Sequence, residues 1–224
     1  LKKILLKKLK IQLLNVGFII NLGKLTGRLH STTKNYYADK INKRQEWFEE
    51  DNIANASVYL PENYKKVVEE IKALTDLFKN LPGDKDSYGL VHADIHGGNF
   101  FVEEYQINLF DFDDSCYHWY VYDLAVIIYS VLTTIKDIQE RNLFALEFSR
   151  NLLEGYYSEN NLDRKWLKYI PDIFRLRDLL IFVFLHKKWD LNNLSERDQE
   201  YFNNLKNRVE NSTSLIDDFN GIII

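Results

Sequence analysis

Residues 91–99 read Val91-His92-Ala93-Asp94-Ile95-His96-Gly97-Gly98-Asn99, and twelve residues past Asn99 an apolar run ends on Asp111, followed by Phe112-Asp113-Asp114. A carboxylate, an amide and a second carboxylate in this order suit the transfer of a phosphoryl group to a hydroxyl. Asp94 would accept a hydrogen bond from the acceptor hydroxyl and take its proton as the new ester bond forms. The Asn99 amide oxygen and the Asp111 carboxylate would meet magnesium on the phosphates of ATP, since magnesium is a hard cation that takes oxygen ligands. Asp and Asn are common turn residues, so an isolated Asp-x-x-x-x-Asn would carry little weight. The ordered set of three carries far more.

Three groups separated in sequence must meet in space, and the intervening residues supply the means. Asn99-Phe100-Phe101-Val102 is apolar and β-prone, Glu103-Glu104-Tyr105-Gln106 is a polar turn, and Ile107-Asn108-Leu109-Phe110 alternates as a return strand. A hairpin over these residues returns Asp111 to the loop that carries Asp94 and Asn99. His92 and His96 stand four apart and could pass for a zinc pair. They lie off any helical pattern and no third His or Cys is near, so packing and hydrogen bonding within the loop is the expected role. Asp123 opens an apolar helix, where a helix N-cap is the ordinary reading.

His92-Ala93-Asp94-Ile95-His96-Gly97-Gly98-Asn99 with Phe110-Asp111-Phe112-Asp113-Asp114 resembles the aminoglycoside phosphotransferase and choline kinase-like family, whose fold is that of protein kinases. Ala93 stands where that family often has Gly, and Asp113 where protein kinases have Gly. Tyr122-Asp123-Leu124-Ala125 and Leu22-Gly23-Lys24-Leu25-Thr26-Gly27-Arg28-Leu29-His30 add to the likeness. It is specific over 90–125 and loose elsewhere. The resemblance implies ATP as co-substrate, magnesium held by Asn99 and Asp111, and a small-molecule acceptor such as an aminoglycoside, an amino alcohol or a sugar. It also implies that Asp123 accepts hydrogen bonds from the catalytic-loop backbone. Asp114 matches the family's second Asp and would orient the loop, touch metal through water, or face the acceptor. The charged and aromatic segment holding Arg175, Arg177, Asp178, His186, Lys187, Trp189 and Asp190 is expected to be mostly a solvated face with Trp189 half-buried.

A complete kinase also carries a β-rich lobe with a phosphate loop, a strand Lys and a helix Glu. The 91 residues before His92 show no such pattern. Gly17, Gly23 and Gly27 lie in helical periodicity, and Lys24 and Arg28 exclude a membrane dimer motif. The chain therefore reads as mainly α with a short β-hairpin (α+β). It is expected to be the helical C-terminal lobe of a larger kinase over residues 1–210, with a catalytic loop at 91–99, a metal-binding hairpin at 100–114 and a tail at 211–224. A gene encoding this lobe alone is the alternative. By itself the lobe is expected to be inactive, and Phe18, Ile19 and Ile20 to form an exposed apolar face that invites dimerisation.

With 224 residues and 46% apolar content the chain can bury a sizeable core. A net charge of −4 argues against general nucleic-acid binding, and a single Cys excludes an internal disulfide and fits a reducing cytoplasm. No apolar run reaches the ~20 residues of a membrane span. Near the N-terminus, Leu1, Leu5, Leu9, Leu13 and Val16 share a helical face with the lysines mostly elsewhere, which reads as a solvated basic helix and not a signal peptide. Helices are expected over 17–32, 38–53, 61–78, 122–134, 137–158, 163–170, 172–189 and 196–209. The function classes open to such a chain are a small-molecule kinase, an atypical protein kinase, and a non-catalytic kinase-like binding scaffold.

Overall fold

A computed structural model describes residues 15–36, 43–103, 106–216 and 219. In chain order the elements are α1 (Val16–Thr33), a 3-10 turn (Trp47–Glu49), α2 (Asp51–Ala54), α3 (Ala56–Tyr59), a 3-10 turn (Glu62–Tyr64) and α4 (Lys65–Lys79). Then come β1 (Tyr88–Val91), β2 (Phe100–Glu103), β3 (Gln106–Leu109), β4 (Cys116–Trp119), α5 (Tyr120–Leu132), α6 (Ile138–Tyr157), a 3-10 turn (Arg164–Tyr169), α7 (Ile170–Lys188) and α8 (Glu196–Asn211). The architecture is α+β, mostly helical with two small antiparallel sheets. The basic helix expected over 1–14 lies outside the described residues.

The described residues group into two compact units. The first, residues 1–44, 83–170 and 216–224, holds the loop and hairpin. Its framework is α1 packed along α6. Asn15 caps α1 by accepting from the Phe18 amide at 3.2 Å. The buried face of α1 is Phe18, Ile19, Leu22, Gly23, Thr26, Gly27 and His30, a stripe at helical spacing. The two helices approach so closely that a Cβ on Gly23 would lie 2.0 Å from the Leu152 carbonyl oxygen, and one on Gly155 would lie 2.0 Å from that of Ile20. The glycines of the Gly23–Gly27 spacing thus seat one helix on its neighbour within the chain. Phe18 and Ile19 are buried, and Phe18 packs on Phe100 with ring centroids 5.9 Å apart. Of the apolar face expected to be exposed there, Phe18 and Ile19 are instead turned into the unit's own core, and Ile20 is half-buried.

β1 pairs antiparallel with β4, and β2 with β3, with Phe100 opposite Leu109 and Glu103 opposite Gln106. The second sheet matches the expected hairpin, whose turn residues 104 and 105 lie outside the described set. The first sheet is a correction, since the sequence reading held no strand at 88–91 or 116–119. β4 runs straight into α5 without a side-chain cap, and all of α5 but Ser130 is buried. This is the buried central helix expected from its apolar sequence, begun two residues earlier.

The second unit, residues 45–82 and 171–215, packs α2, α3, α4, α7 and α8 around Leu60, Val67, Ile71, Leu179, Phe182 and Leu205. The single helix expected over 38–53 is corrected: residues 37–42 are outside the described set, and Glu46, Glu50 and Asn55 break the rest into short turns. Burying Trp47 edge-on against Phe78 outweighs local helix propensity here. The solvated face expected on α7 is also corrected in part. Asp178 is buried and takes a two-bond fork from Arg208 at 2.7 and 3.0 Å, while Arg175 forks onto Glu70 with both bonds at 2.6 Å. In the expected tail at 211–224, residues 211–214 are exposed and Leu215 and Ile216 are buried.

Candidate functional site

The loop between β1 and β2 is shaped by one buried carboxylate. Asp123, in the first turn of α5 and fully buried, accepts from the His92 amide at 3.0 Å and the Ala93 amide at 2.8 Å. Its Oδ2 also accepts from His30 Nε2 at 3.0 Å. Asp123 is therefore no N-cap: Trp119 occupies that position, and the carboxylate reaches the loop instead. Ala93 takes a left-handed φ of 70°, uncommon for a residue with a side chain, and the two amides are thereby turned to one acceptor. A small residue is what such a backbone tolerates.

His92 links the loop to the end of β3. Its Nδ1 accepts from the Asp94 amide at 3.3 Å, so Nε2 carries the proton and donates to the Phe110 carbonyl at 3.0 Å. The Phe110 amide in turn donates to the Asn99 carbonyl at 2.9 Å. Asp111 follows immediately, exposed and at a φ of 64°, a conformation that Asp tolerates better than most residues. Asn99 is buried and donates from Nδ2 to the Asp94 carbonyl at 3.0 Å and to Asp94 Oδ2 at 3.1 Å. Asp94, Asn99, His92 and Asp123 thus form one bonded set, and the hairpin brings the backbone of Asp111 to it. Asp114 lies exposed in the turn that follows. His96 Nε2 stands 3.1 Å from Asp94 Oδ2. Among the described residues no cluster of three or more His, Cys, Asp and Glu side chains could hold a metal by itself.

Sequence reasoning missed the support behind Asp123. His30 is fully buried, with Nδ1 2.9 Å from the Tyr156 hydroxyl and its ring stacked on Tyr120 at 4.6 Å. Asn160 donates to the same hydroxyl at 2.6 Å. With Nε2 protonated, the bonds run in one direction, from Asn160 to Tyr156 to His30 to Asp123. Burial pushes the Tyr156 phenol far above its ordinary range. Burial also pushes Asp123 up, but the His30 bond, the nearby His30 and His92 rings and the His92 amide outweigh it and hold the carboxyl below its usual value. The available signal was positional: His30 closes the stripe that contains Gly23 and Gly27. A mainly apolar cleft, lined by Leu22, Ile95, Phe100, Ile127 and Val131 and also by His96, lies beside the loop.

Residues 14–158 match the phosphotransferase enzyme family. The chain is 39% identical over 203 residues to an amicoumacin kinase of Bacillus subtilis (strain 168), covering 90% of this chain and 60% of that protein. A solved amicoumacin kinase in complex with AMP-PNP, Ca2+ and Ami superposes with a TM-score of 0.84 at 38% identity, over 92% of this chain and 62% of that one. A microcompartment-associated aminopropanol kinase shares the fold with a TM-score of 0.62 at 19% identity, covering 88% of this chain and 61% of that one. The chain thus spans about 60% of the length of the curated relative it matches. It belongs to the phosphotransferase enzyme family, and its fold is the α+β, kinase-like one of those neighbours.

Proposed function

We propose that this member of the phosphotransferase enzyme family takes part in transferring the γ-phosphoryl group of ATP to a hydroxyl of a small molecule: an aminoglycoside, an amino alcohol or a sugar. The observation that carries the reading is the setting of Asp94. Its carboxylate is fixed by the Asn99 amide, on a loop whose backbone is tied to a buried carboxylate, with Asp111 returned alongside by the hairpin. Asp94 accepts the hydroxyl proton as the oxygen attacks, a role typically worth about 10²–10⁴-fold in rate. Asn99 commits its N–H to Asp94, which supports a role for its Oδ1 as a cation ligand, and Asp111 offers an exposed carboxylate. Two oxygen donors suit magnesium, which is commonly held by one or two protein groups together with substrate phosphates. When bound, it would neutralise charge on those phosphates. No helix of the described residues is long and apolar enough to cross a membrane; a single Cys suits a reducing compartment, and we place the reaction in the cytoplasm.

The test incubates the protein expressed from its whole gene with ATP, magnesium and a panel of acceptors, amicoumacin first, and looks for a phosphate ester by ³¹P NMR. Transfer by the wild type that falls by two orders of magnitude or more in Asp94→Asn, and magnesium–nucleotide binding lost in Asp111→Asn without unfolding, are the expected results. Undiminished transfer by Asp94→Asn would overturn the assignment.

A further inference from the structure

Beyond Asp94, Asn99 and Asp111, the geometry assigns a part in the reaction to His96. We propose that His96 is a positioning residue that holds the Asp94 carboxylate by one oxygen; this rests on the phosphoryl-transfer reading above. Three observations carry it. The Gly98 amide donates to His96 Nδ1 at 2.9 Å. A ring nitrogen that accepts cannot carry the proton in the neutral imidazole, so Nε2 does. Nε2 stands 3.1 Å from Asp94 Oδ2, the same oxygen that receives the Asn99 Nδ2 bond at 3.1 Å. Asp94 Oδ2 therefore takes a hydrogen bond from Asn99 and has the His96 Nε2 atom equally near, within reach of a second.

The third observation concerns space. A Cβ on Gly98 would lie 2.6 Å from His96 Cε1 and 3.0 Å from Nδ1. The ring occupies the place a side chain at 98 would fill. Gly98 has no positive φ, so backbone freedom is not what glycine supplies here. Its smallness lets the ring lie against the amide that sets its tautomer. His96 is not buried, with 38% of its side chain exposed, and core packing does not account for this arrangement.

The experiment has a kinetic and a spectroscopic arm, both on the protein with the panel acceptor that the wild type phosphorylates best. His96→Ala lowers kcat by about 10- to 100-fold, the scale of a lost hydrogen bond to a charged group, and leaves the KM for ATP unchanged. His96→Gln, whose amide N–H can donate, recovers most of the loss. Gly98→Ala, which displaces the ring but leaves Asp94 and Asn99 in place, reproduces the His96→Ala defect. Unchanged kcat in His96→Ala, or a loss that Gln fails to rescue, overturns the proposal. In the second arm, ¹⁵N NMR of the imidazoles detects one His96 tautomer with the proton on Nε2, whose resonance moves in Asp94→Asn. A proton on Nδ1, or no response to Asp94→Asn, overturns it as well. A wild type that phosphorylates nothing would defeat the functional reading, and the imidazole spectra would then decide the His96–Asp94 contact on their own.

Discussion

Replacing Gly23 by Ala sets two effects of opposite sign against each other. Helix propensity favours Ala over Gly by about 1 kcal/mol in a helix interior. Packing opposes it: the new Cβ would sit 2.0 Å from the Leu152 carbonyl oxygen and 2.9 Å from the Tyr156 nitrogen. Both are backbone atoms of α6, so no side chain can swing aside, and the helices must separate by more than an ångström. Overpacking of this kind typically costs about 1–3 kcal/mol, occasionally more, and the rigid neighbours place this case at the upper end. The net expectation is destabilisation by about 2 kcal/mol. Gly17→Ala is the control, because its Cβ would meet only Asn15 Oδ1, at 3.2 Å. Urea unfolding followed by tryptophan fluorescence gives both midpoints; Trp119, stacked on Trp166 at 4.6 Å, reports on this unit. Phosphoryl transfer should fall further in Gly23→Ala than its stability loss explains, since His30 lies on the same face of α1. A Gly23→Ala midpoint equal to or above that of Gly17→Ala would refute the packing argument.

Asp123→Asn puts an N–H₂ among the N–H donors of His92, Ala93 and His30, and breaking such a buried charged set costs about 3 kcal/mol; hydrogen exchange at the His92 and Ala93 amides should rise first, and unchanged protection there would count against the anchor. Because the folded pKa of Asp123 lies below the unfolded 3.8, its stabilisation is full above that pH and fades as pH falls through the lower folded value, so the wild-type lead over Asp123→Asn should shrink below about pH 4. His118 behaves differently. Burial lowers its pKa from 6.5 to about 3, and its Nδ1 accepts from the Trp119 amide at 2.7 Å. Between those values the unfolded chain binds a proton that the folded one refuses, so stability drops as pH falls below 6.5, by at most about 1.4 kcal/mol per unit. His118→Phe should flatten that slope in urea titrations from pH 7 to 5, and an identical slope would show that His118 is not its source.

The parts of this molecule legible in the sequence are those written locally. The β2–β3 hairpin announces itself by alternation and a polar turn, and α5 by an unbroken apolar run. The order Asp94, Asn99, Asp111 is carried by spacing along one short stretch, and the chain's match to the phosphotransferase enzyme family covers that stretch. What failed to show was set by partners distant in sequence. Tyr88–Val91 is four residues long and becomes a strand only because Cys116–Trp119 lies opposite. Glu46 and Glu50 are ordinary helix formers, yet they sit in extended backbone around a buried Trp47. Asp178 looked solvated because its partner, Arg208, lies thirty residues on.

The case of His30 shows how packing and chemistry are joined. A buried carboxylate such as Asp123 is costly unless donors surround it, and two of its three donors are amides of the loop it shapes. The third comes from α1, which must lie close against α6 for the His30 ring to reach both Tyr156 and Asp123, whose side chains it bridges at 2.9 and 3.0 Å. Gly23 and Gly27 permit that approach, since a Cβ at Gly27 would meet the Tyr156 carbonyl oxygen at 2.7 Å. The spacing Gly23-x-x-x-Gly27-x-x-His30 is therefore one device: two positions without side chains bring the helix in, and a third delivers the proton donor. Its product is the backbone of residues 92 and 93, from which Asp94 projects. A methyl group added two helical turns before His30 thus acts on the same loop as removal of the Asp123 carboxylate, through distance in the first instance and through charge in the second.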